Sequence, residues 1–345
     1  MSRWPALHSG PIPHSARRIR PIAVRRLAAR VMAGAALAVL PSAHAASWPT
    51  KPVRLVAVFP PGGSVDQVAR AIAPQLAAQL GQNVIVENKG GASGSIGTQA
   101  VAKGEADGHV FAVVFDTHAT NASLLPNPGY DTLKDLVPVV LIGTSPMVVV
   151  AHPSQPWKSF ADVLGAARAK PGAVAYGTIG SGSLGHLAMT QIGNQVGADF
   201  NHIAYRGGGP LVTDAVGGQV PLAIGTVFLM NPQIKAGKLR PLAVTSAQPD
   251  AQLPGVPPVA EQGVPGFVAL SWWGVFAPAG TPADVVQRAS DEIVKALRTP
   301  AVSEKLATQG LDLVAGGPPE LDRFVRGEIG RWAKVIRDNR IRAGD

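Results

Sequence analysis

A junction repeated four times constrains this chain most: an apolar strand runs into a glycine-rich turn, and the turn opens a helix. Residues 53–59 form a near-continuous apolar run, the pattern of a strand buried on both faces. Pro60-Pro61-Gly62-Gly63-Ser64 stops it. From Val65 the apolar period lengthens, so that Val65, Val68, Ala69, Ile72, Leu76 and Leu80 share one helical face before Gly81. The device recurs at 90–97 after a strand at 83–87, at 177–183 after 174–176, and at 206–210 after 202–205. At each helix start the first backbone N–H groups lack internal partners. Glycine, having no Cβ, lets another molecule approach those donors closely. Such a start suits a carboxylate or phosphate. Taken singly, each turn reads equally well as a tight connector, with Asp66 merely favouring the helix dipole. The repetition favours binding.

The remaining segments complete an alternation of strands and helices. Strands are expected at 109–115, 137–142, 147–152, 220–224, 240–245 and 272–277. Helices are expected at 159–170, with Ser159 as N-cap and Asp162 in the first turn, at 184–196 and near 231–236. Three more follow Thr281-Pro282, at 282–297, 300–309 and 319–339. The polar run Asp116-Thr117-His118-Ala119-Thr120-Asn121 reads as a ligand loop, and 126–135 and 249–266 as connecting loops. This order argues a doubly wound α/β fold with ligands beyond the carboxyl ends of the strands. The last helices bring no strand pair of their own and pack most simply on the first sheet. The chain then crosses between two lobes twice, near 147–152 and near 271–278. One lobe takes 46–148 and 271–345, the other 149–270.

Charge becomes informative once the N-terminus is set aside. Residues 1–45 hold seven arginines and no acid, followed within the segment by an apolar run at 31–40, Pro41 and Ala43-His44-Ala45. A basic region, a short apolar region and an A-x-A site make a secretory signal peptide. Its apolar part is too short for a permanent anchor. Without this segment the formal net charge falls from +9 to +2. No basic stripe remains, so no nucleic-acid partner is expected, and the expected location is the periplasm. The chain has no cysteine, which removes disulfides, thiolate zinc sites and thiol nucleophiles together.

Two glycine turns from each lobe would surround a small ligand with amides and with the hydroxyls of Ser64, Ser93, Ser95, Thr178, Ser181 and Ser183. Each neutral hydrogen bond adds about 1 kcal/mol net, and about double that to a charged acceptor. Several converging on one carboxylate reach micromolar affinity, about −8 kcal/mol. Gly180-Ser181-Gly182-Ser183-Leu184-Gly185 also matches G-x-G-x-x-G, but the next strand ends in Arg206 where a dinucleotide ribose needs an acid. His186 stays open to two readings, a base or ligand contact, or a donor to a nearby carbonyl. The histidines lack metal-ligand spacing, and there is no nucleophile elbow, Walker loop or H-E-x-x-H. No catalytic residue, metal or cofactor is expected, and Trp272-Trp273 belongs in a core. The rival reading is an exported α/β cleft hydrolase acting on a carboxylate ester.

Several motifs carry a family likeness along the whole mature chain. They include Phe59-Pro60-Pro61-Gly62-Gly63-Ser64-Val65-Asp66, Val86-Glu87-Asn88-Lys89-Gly90-Gly91-Ala92-Ser93-Gly94, Tyr130-Asp131-Thr132-Leu133-Lys134-Asp135, Tyr205-Arg206-Gly207-Gly208 and Trp273-Gly274-Val275-Phe276-Ala277-Pro278-Ala279-Gly280-Thr281-Pro282. In these the chain resembles the Bug-type receptors, extracytoplasmic solute-binding proteins of tripartite tricarboxylate transporters. The resemblance implies a type II-like, two-lobed periplasmic binding protein with a two-strand hinge. Such a protein closes on a small carboxylate solute, acts as a monomer and serves membrane permease subunits; it is a receptor, not an enzyme. Carried over, Gly62, Gly63 and Asp66 with Ala92, Ser93 and Gly94 hold a carboxylate, partly through ordered water. Thr117, Gly180, Ser181 and Ser183 hold the solute from the other side, and Pro61, Ser64, His186, Arg206 and Gly207 complete the expected ligand set. One departure is the strand after the fourth turn, Pro221-Leu222-Ala223-Ile224-Gly225, where relatives commonly carry acids. Amino-acid ligands are therefore not expected.

Overall fold

The computed structural model describes residues 10–11 and 48–342; the expected signal peptide therefore lies almost wholly outside the described residues. Four early elements set the pattern. Strand β1 (Val53–Ala57) leads into helix α1 (Ser64–Leu80), β2 (Val84–Asn88) follows, and a 3₁₀ turn at Ala92–Gly94 opens α2 (Ser95–Ala102). Next come β3 (Val110–Phe115), α3 (Thr117–Leu124) and the long β4 (Leu136–Ala151). The middle of the chain runs α4 (Phe160–Ala169), β5 (Val174–Thr178), α5 (Leu184–Val196), β6 (Phe200–Ala204), α6 (Gly208–Val216), β7 (Leu222–Thr226), α7 (Val227–Lys235) and β8 (Arg240–Val244). It closes with β9 (Leu270–Pro278), α8 (Ala283–Leu297), α9 (Pro300–Ala307), β10 (Asp312–Gly316) and α10 (Pro318–Asp338).

The strands pair in the order β2-β1-β3-β9-β4-β7-β5-β6, with β8 and β10 also on β4. β1 pairs in parallel with β2 and β3, and β5 in parallel with β6 and β7, as strands joined by crossover helices must. β4 is the strand common to both groups. From Leu136 to Pro146 it runs antiparallel to β9, and from Met147 to Ala151 antiparallel to β7. Beyond the exchange its side chains alternate strictly: Met147, Val149 and Ala151 enter one core, Val148 and Val150 another. A third core, around Leu55, Phe111, Ile72 and Trp273, covers the β1–β3–β9 group.

The structure departs from the sequence reading in three places, each for a physical reason. The two strands read at 137–142 and 147–152 are one strand. Pro146 lies where β4 exchanges partners, and Pro138 lies at a register shift, so neither proline removes a needed donor. The polar run from Asp116 is no loop: Thr117 starts α3, and Thr117, His118, Thr120 and Asn121 are all buried. Finally, β10 pairs with β4 through Asp312, Leu313 and Gly316, a strand not read from the sequence. The last helix divides its apolar face, giving Leu321 and Val325 to the first-sheet core and Trp332 and Ile336 to the core around Phe160. Among the described residues no helix is long and apolar enough to cross a membrane.

Candidate functional site

The four glycine turns meet. Gly63 caps α1 and offers no side chain to its first N–H groups. Asp66 does not aim at a ligand: its Oδ2 accepts from Gly62 N at 3.0 Å and its Oδ1 from Arg70 Nε at 2.8 Å, with the carboxylate 4% exposed. Arg70 continues to Asn88 Oδ1 at 3.1 Å, and Asn88 donates to Phe59 O at 3.0 Å, so the first turn is tied to the end of β2. In the second turn Ala92 and Ser93 hold left-handed backbones, φ 45° and 51°, a conformation that costs L-residues energy and persists only where the surroundings impose it. Those surroundings include Asn121, which donates to Ser93 O at 3.0 Å.

The third and fourth turns close on the first two. Ser93 Oγ donates to Ser181 O at 2.7 Å, and Thr120 Oγ1 to Gly182 O at 2.9 Å. Gly207, at φ 106°, donates to Ile179 O at 3.0 Å and caps α6 without a side chain. The starts of α1 and α6 touch: a Cβ at Gly208 would lie 3.4 Å from Gly63 Cα and 2.7 Å from Leu229 Cδ2. Only backbone fits there.

Beside this meeting point lies a cleft of about 680 Å³. Of the expected residues, Pro61, Ala92, Ser93, Gly180, Ser181, Arg206 and Gly207 line it, with Arg206 exposed. Gly63 and Ser64 line a void of about 10 Å³ between the first and fourth turns, room for about one water. Gly62 lies in the first turn itself. Gly94, Thr117, Ser183 and His186 stand behind the lining. Gly94 packs on Val58, Phe59 and Thr117, so that a Cβ there would lie 3.5 Å from Thr117 Oγ1. His186 is 4% exposed, and its Nδ1 accepts from Gly182 N at 3.1 Å. That nitrogen cannot at the same time take a proton from a serine. Among the described residues no three His, Cys, Asp or Glu side chains gather as a metal site.

Sequence reasoning missed the contribution of Phe59, Asn88, Ile179 and Tyr205 to the lining, and the cross-cleft role of Thr120. Asp116, which the sequence places in a polar run, is 1% exposed at the end of β3. Burial pushes its carboxyl up from the ordinary 3.8 to about 7, and Glu328 adds to the rise. The Ser271 hydroxyl and the Leu184 and Thr117 amides oppose it, but no regular hydrogen bond closes on either oxygen. His118 is buried too; loss of solvent drives it down to about 3, so it packs against Phe276 and Tyr130 as a neutral ring.

An α/β frame whose four glycine turns line one cleft has the form of a solute-binding protein. The chain belongs to the tripartite tricarboxylate transporter family receptors, whose model matches residues 68–341. BugT of Bordetella pertussis is 38% identical over 294 residues, 85% of this chain and 90% of that one. The fold is that of solved periplasmic binding proteins. The R. palustris Rpa4515 protein with adipate superposes with a TM-score of 0.82 at 36% identity, covering 86% of this chain and 99% of that one. MatC (Rpa3494) from Rhodopseudomonas palustris with bound malate gives 0.80 at 29% identity, covering 84% and 100%.

Proposed function

We propose that this receptor captures a small dicarboxylate in the periplasm by closing two lobes and delivers it to the membrane permease of a tripartite tricarboxylate transporter. One observation carries the reading: residues of all four glycine turns, Pro61, Ala92, Ser93, Gly180, Ser181 and Gly207, line a single cleft with Arg206 at its rim. One carboxylate would sit against amides, and Arg206 supplies the charge for a second. Adipate and malate, bound by two similar proteins, are both dicarboxylates. Pro61, Ala92, Ser93, Gly180, Ser181, Arg206 and Gly207 would touch the solute directly, and Gly62, Gly63 and Ser64 would act from the first turn through water. Asp66, Gly94, Thr117, Ser183 and His186 would hold those turns in shape.

The lobes are 46–148 with 271–345, and 149–270; the hinge is β4 and β9, where the chain passes from one strand group to the other. The protein works as a monomer without cofactor and turns nothing over. Residues 1–45 export it, with cleavage after Ala45. A thermal-shift screen of mono-, di- and tricarboxylates tests the reading. Stabilisation by one class, with no hydrolysis of the matching esters, is the expected result. Ester turnover, or no stabilisation by any acid, would overturn it.

A further inference from the structure

The loop at 180–183 reaches across the cleft, yet its shape is set from behind by two histidines. His186 and His202 stack face to face, ring centroids 4.0 Å apart and 5° from parallel. Each imidazole holds one end of the loop. His186 Nδ1 accepts from Gly182 N at 3.1 Å. His202 Nε2 lies 2.8 Å from Thr178 Oγ1. Thr178 spends its one hydroxyl proton on Gly180 O at 3.1 Å, and its oxygen also accepts from Gly180 N at 3.2 Å. His186, accepting at Nδ1, is unprotonated there. Gly182 is held on both sides: its N–H by His186, its carbonyl by Thr120 of the facing lobe at 2.9 Å.

We propose that His186 and His202 are positioning residues: the stacked pair fixes the loop so that the Ser181 and Gly182 carbonyls meet Ser93 and Thr120, and it does so only while His186 Nδ1 is unprotonated. Protonating that nitrogen sets an N–H against the Gly182 N–H and removes the loop's inner anchor. A second charge on the parallel ring at 4.0 Å is disfavoured by like-charge repulsion. Titratable groups near the pair include Tyr176, stacked on His202, and Asp116, which faces Leu184 N at the start of the same helix with Glu328 acting on it. Burial holds the Tyr176 phenol far above physiological pH, so it keeps its proton. Protonation of His186 Nδ1 would thus free the loop from within.

The inference rests on the receptor reading, so the test has a ligand-free arm and a solute arm. In ¹⁵N-labelled protein without solute, a scalar coupling between the Gly182 amide and His186 Nδ1 is expected at about pH 8 and is expected to vanish as the imidazole protonates. In the solute arm, adipate is titrated calorimetrically into wild type, His186→Asn and His186→Leu. Asn keeps an acceptor near the Nδ1 position but cannot protonate; Leu removes it. His186→Asn is expected to bind within about threefold of wild type at about pH 8 and to lack the loss of affinity that wild type shows at a pH low enough to protonate the imidazole. His186→Leu is expected to bind about tenfold more weakly at both. Asp116 titrates in every variant, so the difference isolates the imidazole. Absence of the coupling, or the same pH dependence in wild type and His186→Asn, overturns the proposal. If His186→Leu fails to fold, the coupling and His186→Asn decide. If wild type ignores adipate, the coupling still decides, and the dicarboxylate reading alone is contradicted.

Discussion

At the scale of single residues, the site works by leaving side chains out. Gly182 has φ 76°, and a Cβ there would lie 1.9 Å from Leu124 Cδ2 in the facing lobe. Gly182→Ala therefore strains the backbone by about 1–2 kcal/mol and pushes the Leu124 side chain aside. Adipate affinity is expected to fall about 10- to 100-fold, measured by calorimetry, with the variant still folded. Asp116 gives the residue-scale pH dependence. Its carboxyl stands at about 7 in the folded protein against 3.8 ordinarily, so folding takes up a proton between those values. The stability this carboxyl allows is complete below 3.8 and is lost as pH rises through about 7, by a few kcal/mol. Asp116→Asn should melt above wild type at about pH 8, and the gap should close towards pH 4; a constant gap would refute the sign. The glycines were legible in the sequence because the turn and the absent side chain are local facts. Thr120 and Asn121 were not, because their partners, Gly182 O and Ser93 O, come from segments that only the fold brings near.

Among the elements, local signals were read well and long-range pairing poorly. Ser159 and Asp162 close the expected capping box on α4, with Asp162 N donating to Ser159 Oγ at 3.2 Å and Ser159 N to Asp162 Oδ2 at 2.9 Å. Ser159→Ala should cost about 1 kcal/mol and lower the melting temperature by about 2 °C. Solute affinity should stay unchanged, since α4 does not line the cleft. The single strand β4 read as two, at 137–142 and 147–152, because its continuity through residues 143–146 rests on pairing with β9. Helix α3 was hidden by its polarity: buried Thr and Asn side chains resemble a loop to any rule that equates polar with exposed. β10 is five residues between two helices, and only its pairing with β4 makes it a strand. α10 gives Trp332 to the core around Phe160, so Trp332→Ala should destabilise by about 3–5 kcal/mol, read by denaturant unfolding.

For the whole molecule, β4 joins two strand groups, and the glycine turns stand on both sides of that junction. The α/β class and the four strand–turn–helix junctions were legible because apolar periodicity reports them directly. The convergence of the junctions was not, since it depends on how the two halves meet; the hydrogen bonds from Ser93 to Ser181 and from Thr120 to Gly182 supply it. On the proposed function, main-chain amides and one rim arginine would give the pocket a preference for negative oxygen, with size left to the closing of the lobes. The most direct test is calorimetric titration of adipate and malate beside their uncharged diamides. Binding of at least one acid near micromolar strength, with its diamide at least about a hundredfold weaker, is the predicted result. Equal binding of an acid and its diamide, or binding of neither acid, would contradict the account.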